Sequence, residues 1–426
     1  MLFFAGMTLP EYTSMNKGRR EALLAFMDIV EDGAYANLRL KELHCGEDER
    51  SFVSAWIYTS LEHIGWADYM LAHYVKRQKR VVRNIFRMAV SELFFMSTPA
   101  YAAVNEAVEL THSMGKDASA SLVNAVLRRM LREKDSLPAL PKEPAERLHV
   151  QYSMPLWILR EWIERFGIRK AEALLSPMPP YMEIRAQYPF TTEALKSVYP
   201  QAIHGKCVPD CLLLSSGCIH ADSPLFQEGK VTFQGEGAMA ICRFMGDMRG
   251  KAVLDACCAP GGKSAYLWSL CHGDIQLNCW ELHPHRLQLM QETFHRLGVQ
   301  AQCRQQDASL PYLDYENAFD AVLLDGPCSG LGLRQTKPDI GLHKEESDVL
   351  ALVRIQQQIL DTCCRYVKPG GILVYATCTI SLRENEEQIR HFLREHSEFS
   401  LAAERQLLPP EDGLGGFYMA RMNRCI

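Results

Sequence analysis

The chain has 426 residues, 47% of them hydrophobic and 23% charged. Those proportions exclude a mainly disordered, collagenous or disulfide-stapled chain, and the length suggests about three domains. No apolar run approaches the ~18 residues of a membrane span. The opening Met1–Met7 is apolar but short and has no preceding positive charge, so it does not read as an export signal. A cytoplasmic protein is expected. Fifteen cysteines, an odd and scattered set, read as reduced thiols. His204, Cys207, Cys211, Cys218 and His220 fit no zinc spacing and read as loop and strand residues, so no metal is expected.

The net charge of −5 is uneven. Residues 71–134 hold eleven Lys/Arg against five Asp/Glu, a local balance of +6, which leaves −11 for the remainder. A basic stretch inside an acidic protein fits a face for a polyanion, and it fits a solvated helical face equally well.

In chain order, residues 19–134 read as helical. Leu23, Phe26, Met27 and Val30 form one apolar stripe, and Gly33 ends it. Phe52, Trp56, Tyr58 and Leu61 form a second. Val82, Ile85, Phe86, Ala89, Val90 and Leu93 form a third, opposite Lys79, Arg80, Arg83 and Arg87. Val123, Val126, Leu127 and Met130 form the last, with Arg128, Arg129 and Arg132 outside. Pro138, Pro141 and Pro144 mark a boundary, and a helix over 156–166 follows. A second proline break covers 176–180. Residues 181–235 mix short strand-like runs (181–186, 211–214, 230–233) with turns. From 250 onward, apolar strands (252–255, 275–280, 319–325, 371–376) alternate with helices (263–271, 284–297, 347–366). That alternation implies a doubly wound, mostly parallel sheet.

Three motifs fall at the carboxyl ends of those strands, where open α/β sheets bind ligands. The first runs from Asp255 through Cys257, Cys258, Ala259, Pro260, Gly261, Gly262 and Lys263 to Ser264. It is a strand, a glycine turn and a helix start. It is not a P-loop, because Cys257 stands where the first glycine is needed. Glu281 closes the next strand, suited to the two hydroxyls of a ribose, and Asp307 follows the third, suited to an adenine edge. The ordered series Asp255, Glu281, Asp307 suggests an adenosine-containing cofactor. The second motif is Asp325-Gly326-Pro327-Cys328-Ser329-Gly330-Leu331-Gly332, and the third is Ala376-Thr377-Cys378-Thr379. A single cysteine is usually inert packing. Two of them, opening onto one sheet edge beside an acid and a cofactor loop, argue for chemistry.

These segments resemble the cofactor, P-C and T-C motifs of the RNA 5-methylcytosine methyltransferases of the Nol1/Nop2/Sun family. The helical start, with Asp32–Asn37 and Leu122–Arg128, is similar to the NusB-like RNA-binding domain. Bacterial 16S rRNA methyltransferases of this family carry that pairing. The resemblance implies a multidomain protein: an all-α NusB-like domain over 1–137, a small mixed α/β segment over 145–235, and an α/β Rossmann-like class I methyltransferase domain over 236–426. The implied cofactor is S-adenosyl-L-methionine, held by Cys257–Lys263, Glu281, Asp307 and Asp325. The implied reaction is methylation of cytosine carbon 5 through a covalent adduct at carbon 6. Cys378 would be the nucleophile, Cys328 would assist product release, Asp325 would meet N3 of the base, and Lys263 would supply a nearby positive charge. The expected partner is RNA, a 16S rRNA with an unstacked cytosine; no membrane or metal partner is expected, and the chain is expected to act as a monomer. The sequence departs from the family pattern at Gly326, at Gln335-Thr336, at Gly415-Gly416-Phe417-Tyr418 and at Ile184-Arg185-Ala186-Gln187. The alternative is a non-catalytic RNA-binding or ribosome-assembly protein that keeps the fold. A third reading, an ATPase, fails on the missing glycine.

Overall fold

The computed structural model describes residues 9–177, 181–413 and 415–426. Met1–Met7 and residues 178–180 of the second proline break lie outside them. The chain forms two compact units, one running through Leu175 and including Thr336–Lys344, the other comprising Ser176–Gln335 and Glu345–Ile426.

The first unit is helical. Helices Leu9–Asp32, Glu47–Glu62, Ile64–Tyr74, Arg80–Phe95, Ala100–Ser113 and Asp117–Arg132 surround a core that includes Phe26, Trp56, Ile57, Ile85, Phe86, Val123 and Leu127. The expected stripes supply this core, with one adjustment. In Glu47–Glu62 the fully buried face is Val53, Trp56, Ile57 and Leu61, and Tyr58 sits half-buried on its flank. Gly33 ends the first helix at a φ of +75°, a conformation that costs glycine little. Pro144 starts a helix rather than only breaking the chain. It lies in the first turn of Pro144–Tyr152, and the Glu143 carboxylate caps the N–H groups of Ala145 and Glu146. The segment 336–344 packs in this unit: Asp339 accepts the Ala36 N–H at 3.0 Å, and Trp157 donates to the Lys344 carbonyl at 3.2 Å.

A buried ion pair crosses the helical core. Arg19 donates to both oxygens of Glu92 at 2.8 and 2.7 Å, and lies 3.4 Å from Glu106. Its guanidinium also stacks over Phe52 and Trp56. The basic face is less open than charge counting suggests. Arg80 pairs with Asp32, Arg83 with Glu31, and Arg87 with Asp68 at 2.6 Å. Those acids come from other helices, so a local count could not find them.

The second unit holds two sheets. β1 (Tyr181–Ala186), β2 (Ile203–His204), β3 (Leu212–Ser215) and β4 (Val231–Phe233) form an antiparallel sheet in the order β2-β3-β1-β4. The larger, Rossmann-like sheet contains β5 (Ala252–Asp255), β6 (Gln276–Glu281), β7 (Ala301–Gln305), β8 (Phe319–Asp325), β9 (Val367–Thr377), β10 (Phe399–Leu407) and β11 (Phe417–Arg424). Its order is β10-β11-β9-β8-β5-β6-β7; β5 to β9 are parallel, and β10 and β11 run antiparallel. Period-two alternation sends Val253, Ala321 and Leu323 into one core and Leu254, Val322 and Leu324 into another, so both faces are covered. Helices Gly262–Leu270, Pro284–Leu297 and Glu346–Cys363 match the helical stretches read from the sequence. Among the described residues, no helix is long and apolar enough to cross a membrane.

Breaking the buried pair would strand a charge. Glu92→Ala is expected to lower the stability of the helical unit by about 3–5 kcal/mol, read from its denaturant midpoint by circular dichroism. A loss below about 1 kcal/mol would mean Glu106 and the two rings suffice for Arg19.

Candidate functional site

Strand register assembles the site. Asp255 pairs across the parallel sheet with Cys279 on one side and Leu323 on the other, while Asp325 pairs with Ala376. The ends of β5, β6, β8 and β9 therefore stand together at one edge, and apart from Asp307, which follows β7, the motif residues lie at these strand ends or just beyond them.

The first loop is tightly built. Ala256 N–H donates to Leu323, Cys258 N–H to Trp280 and Gly261 N–H to Cys258. Gly261 sits at a φ of +96°, and a Cβ there would lie 2.7 Å from Phe294. Backbone conformation and space both demand glycine. Pro260 precedes it, and Arg286 donates to the Ala259 carbonyl at 2.8 Å. Burial, reinforced by the charges of Asp255, Asp325 and Glu281, pushes the Cys257 thiol far up. Burial first, then the Cys279 contact, does the same to Cys258. Both loop thiols are thus held neutral. Asp255 is buried, takes a 2.8 Å hydrogen bond from Ser264 Oγ, and has its carboxyl pushed up to about 6 by burial.

Glu281 ends β6 in a buried position. One oxygen accepts the His283 N–H at 2.9 Å; the other is 3.6 Å from Arg286. Asp307 lies two residues beyond β7, half-buried, and one oxygen accepts the N–H and Oγ of Ser309.

Lys263, the second residue of its helix, forms an ion pair with Asp325 across the mouth of the first loop. Burial works against the Lys263 charge, and the Asp325 carboxylate more than offsets it, holding the ammonium well above the usual lysine range. Lys263 therefore stays protonated at any working pH.

The two sulfurs meet. Cys328 Sγ and Cys378 Sγ are 3.3 Å apart, and both residues are half-buried. The hydrogen bond to Cys378, followed by burial and the charges of Cys378, Glu384 and Asp325, raises the Cys328 thiol well above its ordinary range. Two backbone contacts lock the loops: Gly332 N–H donates to the Cys378 carbonyl at 3.1 Å, and Gly416 N–H donates to the Gly332 carbonyl at 2.7 Å. A Cβ at Gly332 would fall 1.9 Å from the Gly416 carbonyl, which explains a glycine at that spot.

All twelve site residues named from the sequence thus lie in the second unit, around one sheet edge. Sequence reasoning missed the support beneath them. Ser329, Thr379, Glu384 and Asn385 are buried and hydrogen-bonded to one another. Glu384 lies in Arg383-Glu384-Asn385-Glu386-Glu387, which reads as a solvated charge run. The usable signal was the hydroxyl that follows each cysteine. Of the departures, Gln335 belongs to the second unit and Thr336 to the first. The residues that fit no zinc spacing have other surroundings: His204 bonds the Pro209 carbonyl, Cys207 the Asp412 carbonyl, Cys211 is buried and Cys218 exposed. Among the described residues, Cys364, His396 and Glu398 bring three potential ligand atoms within 4.8 Å of one another.

The sequence pattern described as 16S rRNA methyltransferase RsmB/F matches residues 245–423, and that of the NusB family matches residues 16–132. The probable ribosomal RNA small subunit methyltransferase B of Bacillus subtilis is 32% identical, over 95% of this chain and 98% of its own. The ribosomal RNA small subunit methyltransferase B of Xylella fastidiosa (strain 9a5c) is 33% identical, over 84% and 86%. Among solved structures, PH0851 superposes with a TM-score of 0.79 at 22% identity, covering 96% of this chain and 99% of that one. NSun6 from Pyrococcus horikoshii, solved with SFG, gives a TM-score of 0.57 at 18% identity, over 64% and 98%. Both structural likenesses speak for the fold.

Gly332→Ala is expected to destabilise the second unit by about 1–3 kcal/mol, the usual cost of overpacking, in a urea titration. An unchanged midpoint would show that the Gly332–Gly416 approach is not tight.

Proposed function

The chain belongs to the RsmB/F family of 16S rRNA methyltransferases, and on that premise we propose that it methylates carbon 5 of a cytosine in small-subunit rRNA through a covalent bond from Cys378 to carbon 6. The observation that carries this reading is the 3.3 Å contact between Cys328 and Cys378 beside the Lys263–Asp325 pair.

S-adenosyl-L-methionine, the proposed donor, supplies an electrophilic methyl group. The residues fit it. Among the described residues, Glu281 has a carboxylate oxygen engaged only by Arg286 at 3.6 Å, suited to ribose hydroxyls. Asp307 commits one oxygen to Ser309, leaving the other for the adenine edge. The 256–262 loop turns tightly with glycines at its end, which lets a ligand approach the backbone.

Cytosine carbon 5 is a poor nucleophile. Addition of the Cys378 thiolate at carbon 6 makes carbon 5 electron-rich enough to take a methyl group. N3 takes up the proton that the Cys378 thiol gives up, Asp325 accepts the hydrogen bond of the resulting N–H, and Lys263⁺ steadies that carboxylate. Loss of the carbon 5 proton to water, and departure of the Cys378 sulfur with return of the N3 proton to it, restore the aromatic ring, and Cys328 assists that release. Two sulfurs at 3.3 Å cannot both carry full charge cheaply. The anion is assigned to Cys378, with Cys328 kept neutral by its hydrogen bond to Cys378 and by burial. The base must be unstacked to meet a sulfur from above its plane, so a loop or single strand is the substrate. The helical unit, with its NusB-type match, is proposed to bind the RNA.

Cys378→Ala is expected to abolish transfer of labelled methyl to 30S-derived RNA, while Cys328→Ala accumulates a covalent RNA–protein complex visible on a denaturing gel. Methyl transfer retained by Cys378→Ala would remove the nucleophile assignment. Glu281→Ala is expected to weaken S-adenosylmethionine binding about ten- to a hundredfold by calorimetry, with RNA binding unchanged. Unaltered cofactor affinity would take Glu281 out of the ribose contact.

A further inference from the structure

The two sulfurs sit on loops that leave different strands, so something must hold them in contact. One tie is backbone: the Gly332 N–H donates to the Cys378 carbonyl at 3.1 Å. Beneath the sulfurs lies a fully buried carboxylate, Glu384. Its Oε1 accepts the Ser329 N–H at 2.8 Å and the Gln356 amide at 3.1 Å. Its Oε2 accepts the Ser329 hydroxyl at 2.5 Å and the Thr379 hydroxyl at 3.4 Å. Ser329 follows Cys328 and Thr379 follows Cys378, and their hydroxyls are 2.7 Å apart. Each of these partners is a donor or a hydroxyl able to donate.

Glu384 is itself anchored. Its carbonyl accepts the Tyr375 hydroxyl at 2.7 Å, and the next residue, Asn385, bonds the Thr377 hydroxyl at 2.6 Å and the Thr379 carbonyl at 3.0 Å. Gln356 also donates to the Pro327 carbonyl at 2.9 Å, on the same side as Cys328. The anchors thus come from the residues flanking both cysteines and from helix Glu346–Cys363.

We propose that Glu384 is a positioning residue: its buried carboxylate is the shared acceptor that clamps the Cys328 loop to the Cys378 loop and keeps the two sulfurs in contact. This rests on the function proposed above only for its consequence in catalysis; the clamp itself is a statement about geometry. The carboxylate touches neither sulfur, so it acts through Ser329 and Thr379. Its negative charge adds to that of Asp325 on the Cys328 side, favouring a neutral Cys328. Glutamine at 384 could keep the clamp. Its amide oxygen would take the Ser329 N–H, its amide nitrogen would donate to the Ser329 hydroxyl, and that hydroxyl would turn to Thr379. Alanine could not.

The test uses the full chain without cofactor. Diamide oxidises two neighbouring thiols to a disulfide and is itself reduced to the hydrazine, so the rate of the Cys328–Cys378 cross-link, read by peptide mass spectrometry, reports how often the sulfurs meet. Wild type and Glu384→Gln are expected to cross-link at comparable rates, and Glu384→Ala about tenfold slower or less. In methyl transfer, Glu384→Ala is expected to lose about a hundredfold in kcat with KM for S-adenosylmethionine within about twofold, and Glu384→Gln to recover most of it. Cross-linking of Glu384→Ala at the wild-type rate would overturn the clamp. Should that variant not fold, the Ser329→Ala, Thr379→Val double variant carries the same comparison: a slower cross-link supports the clamp and a wild-type rate overturns it. A wild-type chain that methylates no cytosine would instead remove the proposed function, while the cross-linking rates would still decide the role of Glu384.

Discussion

The site depends on one contact, the approach of Cys328 Sγ to Cys378 Sγ at 3.3 Å. Neither cysteine could achieve it from its own loop. The parallel pairing of β8 with β9 sets Asp325 level with Ala376, so the loop after each strand begins at the same height. Three residues on from one and two on from the other, the chain reaches the sulfurs. A slip of one residue in this register would turn a cysteine toward the opposite face of the sheet.

Electrostatics bears on the sulfurs and on the carboxylates around them. The hydrogen bond to Cys378 and burial raise the Cys328 thiol, with the charges of Glu384 and Asp325 adding to them, while Lys263 is tied to Asp325. The loop cysteines 257 and 258 are kept neutral by burial. Five carboxylates share this edge, and their environments differ. Asp255 is buried against Ser264, Glu281 and Asp307 keep acceptor capacity, Asp325 is charge-paired, and Glu384 is saturated with donors.

Much of this was legible in the sequence, for physical reasons. Apolar strands that end in an acid, a glycine turn or a Pro-Cys announce the carboxyl edge of a parallel sheet, and Val253–Asp255 and Ala321–Asp325 do so plainly. The helical stripes were equally visible, because a face that must be buried is periodic. What stayed hidden was buried polarity and paired charge. Glu384 and Asn385 look like surface residues until the fold closes over them. Arg83 and Arg87 look like a free basic face until Glu31 and Asp68 arrive from other helices. β10 was missed because an edge strand with mostly exposed residues lacks alternation. These features depend on contacts between residues far apart in the chain, and local pattern carries no record of them.

The central claim is that Cys378, and not its neighbour, bonds to the base. It is tested most directly by trapping the chain on RNA that carries 5-fluorocytosine in the presence of S-adenosylmethionine, where fluorine at carbon 5 cannot leave as a proton would, and then mapping the modified peptide by mass spectrometry. The account predicts the nucleotide on the peptide containing Cys378; a nucleotide on Cys328, or no covalent complex, would contradict it.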